Sequence, residues 1–201
     1  MDSKKRSLGA AERNEGKRRT WYRIVKNIDP NRLVFIDESG ANITLVPRYG
    51  RAPKGQRCHG SQPRGHYRHL TLFASLSLAG IDAPMILEGA ADRAAFRVYV
   101  ERVLVPTLRP GQIVILDNLS VHKQPALRHA IESVGCRVLF LPTYSPDFNP
   151  IEQAFAKIKQ LLRRAQAHTT EALQEAIAQA IDRVTPTDAH GFFRGCGYSP
   201  Q

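Results

Sequence analysis

The sequence predicts an α/β domain: a mixed five-stranded sheet flanked by helices, in the order βββαβαβα, with one more helix at the C-terminal end. Three observations predict it. Short apolar runs rich in strand formers recur along the chain, each stopped by an acid, a glycine or a proline. The early runs follow one another as in a meander, whereas the later ones alternate with stretches of helical periodicity, and parallel strands need such crossovers. Finally, 201 residues with 42% hydrophobic content suffice for one good core but fall short of two full domains.

Residues 1–30 mix Lys, Arg and Glu around Trp21, Tyr22, Ile24 and Val25, which reads as a basic helical lead-in or linker ended near Asp29 and Pro30. Residues 31–201 form the main domain. Its first strand is the run Leu33 to Ile36, stopping at Asp37-Glu38-Ser39-Gly40. Within residues 41–69, Asn42 to Val46 is a candidate short strand, and RYGRAPKGQRCHGSQPRGHYRH after it reads as a long basic loop or ribbon. Leu70 to Leu78 and Pro84 to Glu88 are the second and third strands. Asp92 caps a helix carrying Phe96, Val100, Val103 and Leu104, which ends at Pro106. A fourth strand, Ile113 to Leu116, stops at Asp117-Asn118. A helix with Leu127, Ile131 and Val134 runs to Gly135, and Arg137 to Leu141 is the fifth strand. After a loop from Pro142 to Pro146, Asn149 and Pro150 open a helix with Ile151, Phe155, Ile158 and Leu162 on one face. The last helix carries Leu173, Ile177, Ile181 and Val184.

The net charge of +11 and pI near 10.0 point to a polyanionic partner, nucleic acid or a membrane surface. Residues 1–68 hold sixteen Lys or Arg against six Asp or Glu, while residues 69–201 hold thirteen against twelve, so the excess is N-terminal. There is no run of eighteen apolar residues and no signal-peptide core, from which a soluble cytosolic protein is expected. Cys58, Cys136 and Cys196 form no CxxC pair and read as reduced thiols.

Three carboxylates stand at element ends: Asp37 after the first strand, Asp117 after the fourth, and Glu152 in the first turn of a helix. If the first and fourth strands are neighbours, the two aspartates converge, and a helix start packed nearby adds the glutamate. Two hard divalent cations about 3.5–4 Å apart need such oxygen ligands, and phosphoryl transfer uses the pair to activate a nucleophile and stabilise a leaving oxygen. Each acid also has a plain structural explanation. Asp37 and Asp117 suit strand-ending turns, and Glu152 suits the third position of a capping-box variant opened by Asn149 and Pro150.

The interval between Asp117 and Glu152, thirty-four residues, carries more information. Together with the segments Val34 to Gly40, Tyr49 to Arg57, Ile115 to His122 and Leu141 to Glu152, and the closing Phe192 to Tyr198, it makes the chain resemble DDE transposases of the mariner superfamily, especially their bacterial insertion-sequence branch. The resemblance implies an RNase H-like fold with Asp37, Asp117 and Glu152 as catalytic ligands of two Mg2+ ions, Mn2+ substituting. It implies hydrolysis at a transposon end followed by attack of the freed 3′-hydroxyl on target DNA, with no covalent enzyme intermediate. A homodimer on DNA and a location on the bacterial nucleoid go with it. Relatives carry helix-turn-helix units before this domain, so a separate polypeptide supplying them is an expected partner.

Arg48, Arg51, Lys54 and Arg57, with Arg64 and Arg68, fall in the long loop and are placed on DNA or across to a second subunit. Lys159 and Arg163, on nearly the same helical face as Glu152, extend a phosphate track. His122, five residues past Asp117, is assigned to DNA or a metal-bound water, a local hydrogen bond being the alternative. Glu38 points to the opposite face from Asp37 and is read as structural. Asp147 is read as turn chemistry, Asn149 as a helix cap. The rival function is a silent, truncated transposase that binds DNA or dimerises without cutting. A receiver-like or nucleotide-binding domain also places acids at strand ends, but the chain has neither a GxGxxG nor a P-loop motif.

Overall fold

The computed structural model describes residues 13–47, 49–63, 67–119 and 122–198. The chain opens with helix α1 (Glu15–Val25), which is followed by three strands: β1 (Leu33–Ala41), β2 (Leu70–Ser77) and β3 (Gly80–Glu88). Then α2 (Arg93–Val98), β4 (Ile113–Leu116), α3 (Pro125–Glu132), β5 (Arg137–Phe140), α4 (Pro150–Ala165), α5 (Thr170–Asp182) and α6 (Pro186–Gly195) complete it. The five strands form one sheet in the order β3-β2-β1-β4-β5. The β1–β2 and β2–β3 pairs are antiparallel, and the β1–β4 and β4–β5 pairs are parallel. That is the expected mixed sheet, with β1 and β4 side by side.

Helices cover both faces. On one, Leu33, Phe35, Ile113 and Ile115 pack against α1, α4, α5 and α6 through residues such as Trp21, Phe155, Ile177 and Phe193. On the other, Val34, Ile36, Val114 and Leu116 meet Phe96, Val100 and Leu104 and the α3 residues Leu127 and Ile131. Adjacent strand residues feed opposite layers because side chains alternate with period two. α1 belongs to the first layer: Trp21 and Val25 are buried there, and the Trp21 indole N–H donates to the Tyr198 hydroxyl at 3.1 Å. Among the described residues no helix is long and apolar enough to cross a membrane.

Three expectations need correction. β1 does not stop at Ile36. It outruns the four-residue β4 and keeps pairing with β2 from Asp37↔Ala74 to Ala41↔Leu70, which places Asp37 inside the strand and leaves Asn42 to Val46 outside any strand. β3 starts at Gly80, before Pro84, because its register against β2 shifts between Phe73 and Ser75 and Ala83 takes a positive φ of 48°, so the alternation breaks mid-strand. The C-terminal region holds two helices after α4. Thr185 and Asp188 form a capping box around Pro186 and start α6, whose Gly191 and short length mask its periodicity. Elsewhere the stops act as expected: Asp92 accepts from the Ala95 N–H to cap α2, which continues as a π-helical stretch from Tyr99 to Leu104, and Gly135 takes a φ of +77° just past α3.

Candidate active site

The register of β1 against β4 brings the first two acids together. Phe35 pairs with Ile115, so Asp37, two residues further along β1, and Asp117, just past the end of β4, leave neighbouring parallel strands side by side and share the face parity of the first core layer. Neighbouring strands lie about 4.8 Å apart. Glu152 reaches the same place from the first turn of α4, and all three carboxylates line one cleft of about 250 Å³. Its opposite wall is the segment from Leu141 to Pro146, fixed by two bonds. The Leu141 N–H donates to the Leu116 carbonyl at 2.8 Å, and the Asn118 amide donates to Thr143 Oγ1 at 2.9 Å.

Asp37 is 9% exposed, and both its oxygens are held: Oδ1 by the Glu38 N–H and Oδ2 by Asn149 Nδ2, each at 2.8 Å. Burial, followed by the nearby charges of Glu38, Glu152 and Asp117, outweighs the Glu38 N–H bond and pushes its pKa up to about 7. Asp117 Oδ1 accepts from the Leu119 N–H at 3.0 Å and from His122 Nδ1 at 2.5 Å. Burial lowers the His122 pKa, yet Asp117 and Glu38 together overcome it and raise the value to about 9. Glu152 is exposed and makes no side-chain hydrogen bond among the described residues.

The donor set suits hard divalent cations: three carboxylates with oxygen ligands only, no thiolate among them. Burial first, and then the repulsion of the neighbouring carboxylates, disfavours a charged Asp37, and a bound cation offsets both; the buried Asn149 Oδ1, without a partner among the described residues, is a further oxygen beside it. Among the described residues no group of three or more His, Cys, Asp or Glu side chains already stands in ligating geometry. The aspartates are held by protein donors, and the side chain left unheld is that of Glu152.

Three readings of single residues change here. Asn149 occupies the N-cap position of α4 but makes no side-chain cap bond; its amide is turned to Asp37 across 112 positions of sequence. The capping-box variant is therefore absent. His122, assigned to DNA, is only 2% exposed and faces Asp117, so the local hydrogen bond is what forms. Glu38 points away from Asp37 as expected, towards His122. Asp147 is more than a turn residue: Arg18 of α1 donates to both its oxygens at 2.9 and 2.5 Å and lies over the Phe148 ring at 4.1 Å. Although burial raises it, the Arg18 contact holds the Asp147 carboxyl below its ordinary range. The Tyr198 hydroxyl donates to the Phe148 carbonyl at 2.7 Å, so α1 and the chain end clamp the segment that delivers Asn149 and Glu152.

Arg51, Lys54 and Arg57 are exposed on the loop between β1 and β2, outside the cleft; Arg48 and Arg64 lie outside the described residues. Arg68 pairs with Glu88 at 2.7 Å. Lys159 is half-buried, and Arg163 lines a second groove of about 830 Å³ between that loop and the end of α4, next to Tyr49 and His59. Sequence reasoning passed over Tyr144. It lines the cleft, is 54% exposed and adopts a positive φ of 54°, a conformation uncommon outside glycine. Its one signal was an aromatic set in the loop between Pro142 and Pro146.

A family model described as DDE superfamily endonuclease matches residues 32–179. No curated protein matches the sequence. Among solved structures, the chain is similar to a pre-cleavage Mos1 transpososome, with a TM-score of 0.75 and 17% identity over 100% of this chain and 64% of that one. It is similar to the Mos1 strand transfer complex, with a TM-score of 0.74 and 18% identity over 100% of this chain and 63% of that one. The Mos1 transposase catalytic domain solved with Raltegravir and Mg gives 0.67 and 17%, over 96% and 92%. The chain thus spans under two thirds of the longer Mos1 chains and nearly all of the catalytic domain. At these identities the likeness is one of fold, the RNase H-like fold of that domain.

Proposed function

The chain belongs to the DDE superfamily endonucleases, and on that premise we propose that it is a transposase catalytic domain that cuts DNA strands and joins the freed ends to target DNA. The observation that carries this reading is that Asp37, on β1, and Asp117, just past the end of the adjacent parallel β4, line one cleft with Glu152 from α4. Residues 31–201 are the catalytic unit and 1–30 its basic lead-in. The protein acts as a homodimer on transposon ends in the bacterial insertion-sequence branch of the mariner superfamily.

Asp37, Asp117 and Glu152 are the groups that hold Mg2+, or Mn2+ in its place. Two such ions supply charge stabilisation of the phosphodiester and a lowered pKa for the attacking hydroxyl. The chain's own residues do the positioning. Asn149 fixes Oδ2 of Asp37, and the Leu119 N–H fixes Oδ1 of Asp117, so the two carboxylates are oriented before DNA arrives. The wall from Leu141 to Pro146 narrows the cleft on one side, and Tyr144 offers an exposed ring at its mouth. Arg51, Lys54 and Arg57, with Arg48, bind the phosphate backbone from the long loop, and Lys159 and Arg163 do so from α4.

Incubating the purified chain with supercoiled plasmid tests the proposal. Nicked circles are expected with Mg2+ or Mn2+ and none in EDTA, while the shift of duplex DNA in a gel persists in EDTA. A chain that binds duplex but nicks with neither metal is the silent, DNA-binding remnant instead.

A further inference from the structure

Asp117 is held from behind. Its Oδ1 takes two hydrogen bonds, from the Leu119 N–H at 3.0 Å and from His122 Nδ1 at 2.5 Å, whereas Oδ2 takes none among the described residues. The carboxylate still lines the cleft, so its unbonded oxygen is the one available there. The imidazole behind it is almost fully buried and is packed against Phe96, with ring centroids 4.2 Å apart, which leaves it little room to rotate. On its far side Nε2 lies 3.4 Å from Glu38 Oε2, a distance for electrostatic attraction rather than a formed hydrogen bond. Neither of these two buried atoms has any other partner among the described residues. Buried polar atoms are rarely left so unless they serve a purpose.

Strand alternation explains why Glu38 is the residue that reaches. Asp37 and Glu38 are consecutive on β1, so Asp37 faces the cleft layer while Glu38 turns to the α2 and α3 layer, where Phe96 and His122 sit. One strand thereby contributes a carboxylate to the cleft from one face and, from the other, the support of the carboxylate just past the neighbouring strand. We propose that Glu38 and His122 are a positioning pair: Glu38 holds the imidazole, the imidazole holds Oδ1 of Asp117, and Oδ2 is left as the oxygen presented to a divalent cation. This rests on the reading of Asp117 as a metal ligand. Outer-shell partners of this kind orient ligands, and their loss typically costs about 10–100-fold in metal affinity.

Titration of the metal-free chain with Mn2+, followed by the loss of the free-ion electron paramagnetic resonance signal, tests the pair without any cleavage assay. His122→Ala is expected to weaken Mn2+ binding by about 10–100-fold. Glu38→Gln keeps the size of a partly buried side chain and is expected to weaken it by about tenfold, with wild-type circular dichroism and an unchanged duplex shift in EDTA. If both variants melt at lower temperature yet bind Mn2+ like wild type when measured well below the transition, the pair is structural only and the proposal fails. A wild-type chain that binds no Mn2+, with or without duplex DNA, overturns the ligand reading itself and the pair with it.

Discussion

Asp117→Asn is expected to slow strand cleavage on the order of 10³-fold or more, about 4 kcal/mol of barrier, while duplex binding in EDTA stays as in wild type. The amide has the shape of the carboxylate and retains one oxygen able to accept from His122 and the Leu119 N–H, so the local bonds survive. What it loses is charge, and with the oxygen turned to His122 its NH2 group points where the cation's ligand should be. An NH2 group donates hydrogen bonds and cannot ligate a hard cation. The initial rate of plasmid nicking with Mn2+ measures the effect. Cleavage within about threefold of wild type would remove Asp117 from the chemistry.

The second large effect is on stability. Phe193 of α6 has no exposed surface; its ring meets Phe35 edge-on at 5.3 Å and lies 6.1 Å from Tyr198. Phe193→Ala is expected to cost about 3–5 kcal/mol, the transfer of a buried ring plus the cavity left behind. Against a typical domain stability of about 5–15 kcal/mol that is a large share. Phe35 lies two residues before Asp37, and Tyr198 bonds both Trp21 and the Phe148 carbonyl, so the same cavity undercuts α1 and the segment leading into α4. Urea denaturation of wild type and variant gives the difference directly. A cost below about 1 kcal/mol would mean that α6 contributes little to the core.

Much of this arrangement was legible in the order of residues. Ile113 to Leu116 is a short, fully apolar run, as a strand buried on both faces must be, and the acid at its end falls where a neighbour's side chain can meet it. Glu152 was legible through its interval from Asp117. Other features depend on partners far along the chain. Asn149 suits a helix cap as well as an amide facing a carboxylate, and only the arrival of Asp37 decides between them. His122 follows Asp117 closely enough for a loop bond or for solvent. The choice is made by Phe96 and Glu38, which different elements deliver to opposite sides of its ring. The end of β1 was misplaced because Asp37, Glu38, Ser39 and Gly40 are turn formers by type, and pairing with β2 overrides that preference. Arg18 looks like one more cation in a basic stretch, yet it is buried against Asp147 and Phe148.

The most direct test is an anomalous difference map from crystals of the chain grown with Mn2+ and a transposon-end duplex. Two peaks about 3.5–4 Å apart are expected in the cleft, with oxygens of Asp37, Asp117 and Glu152 roughly 2 Å from them. Mn2+ bound elsewhere on the protein, with DNA in place and none of the three carboxylates touching a peak, would contradict it.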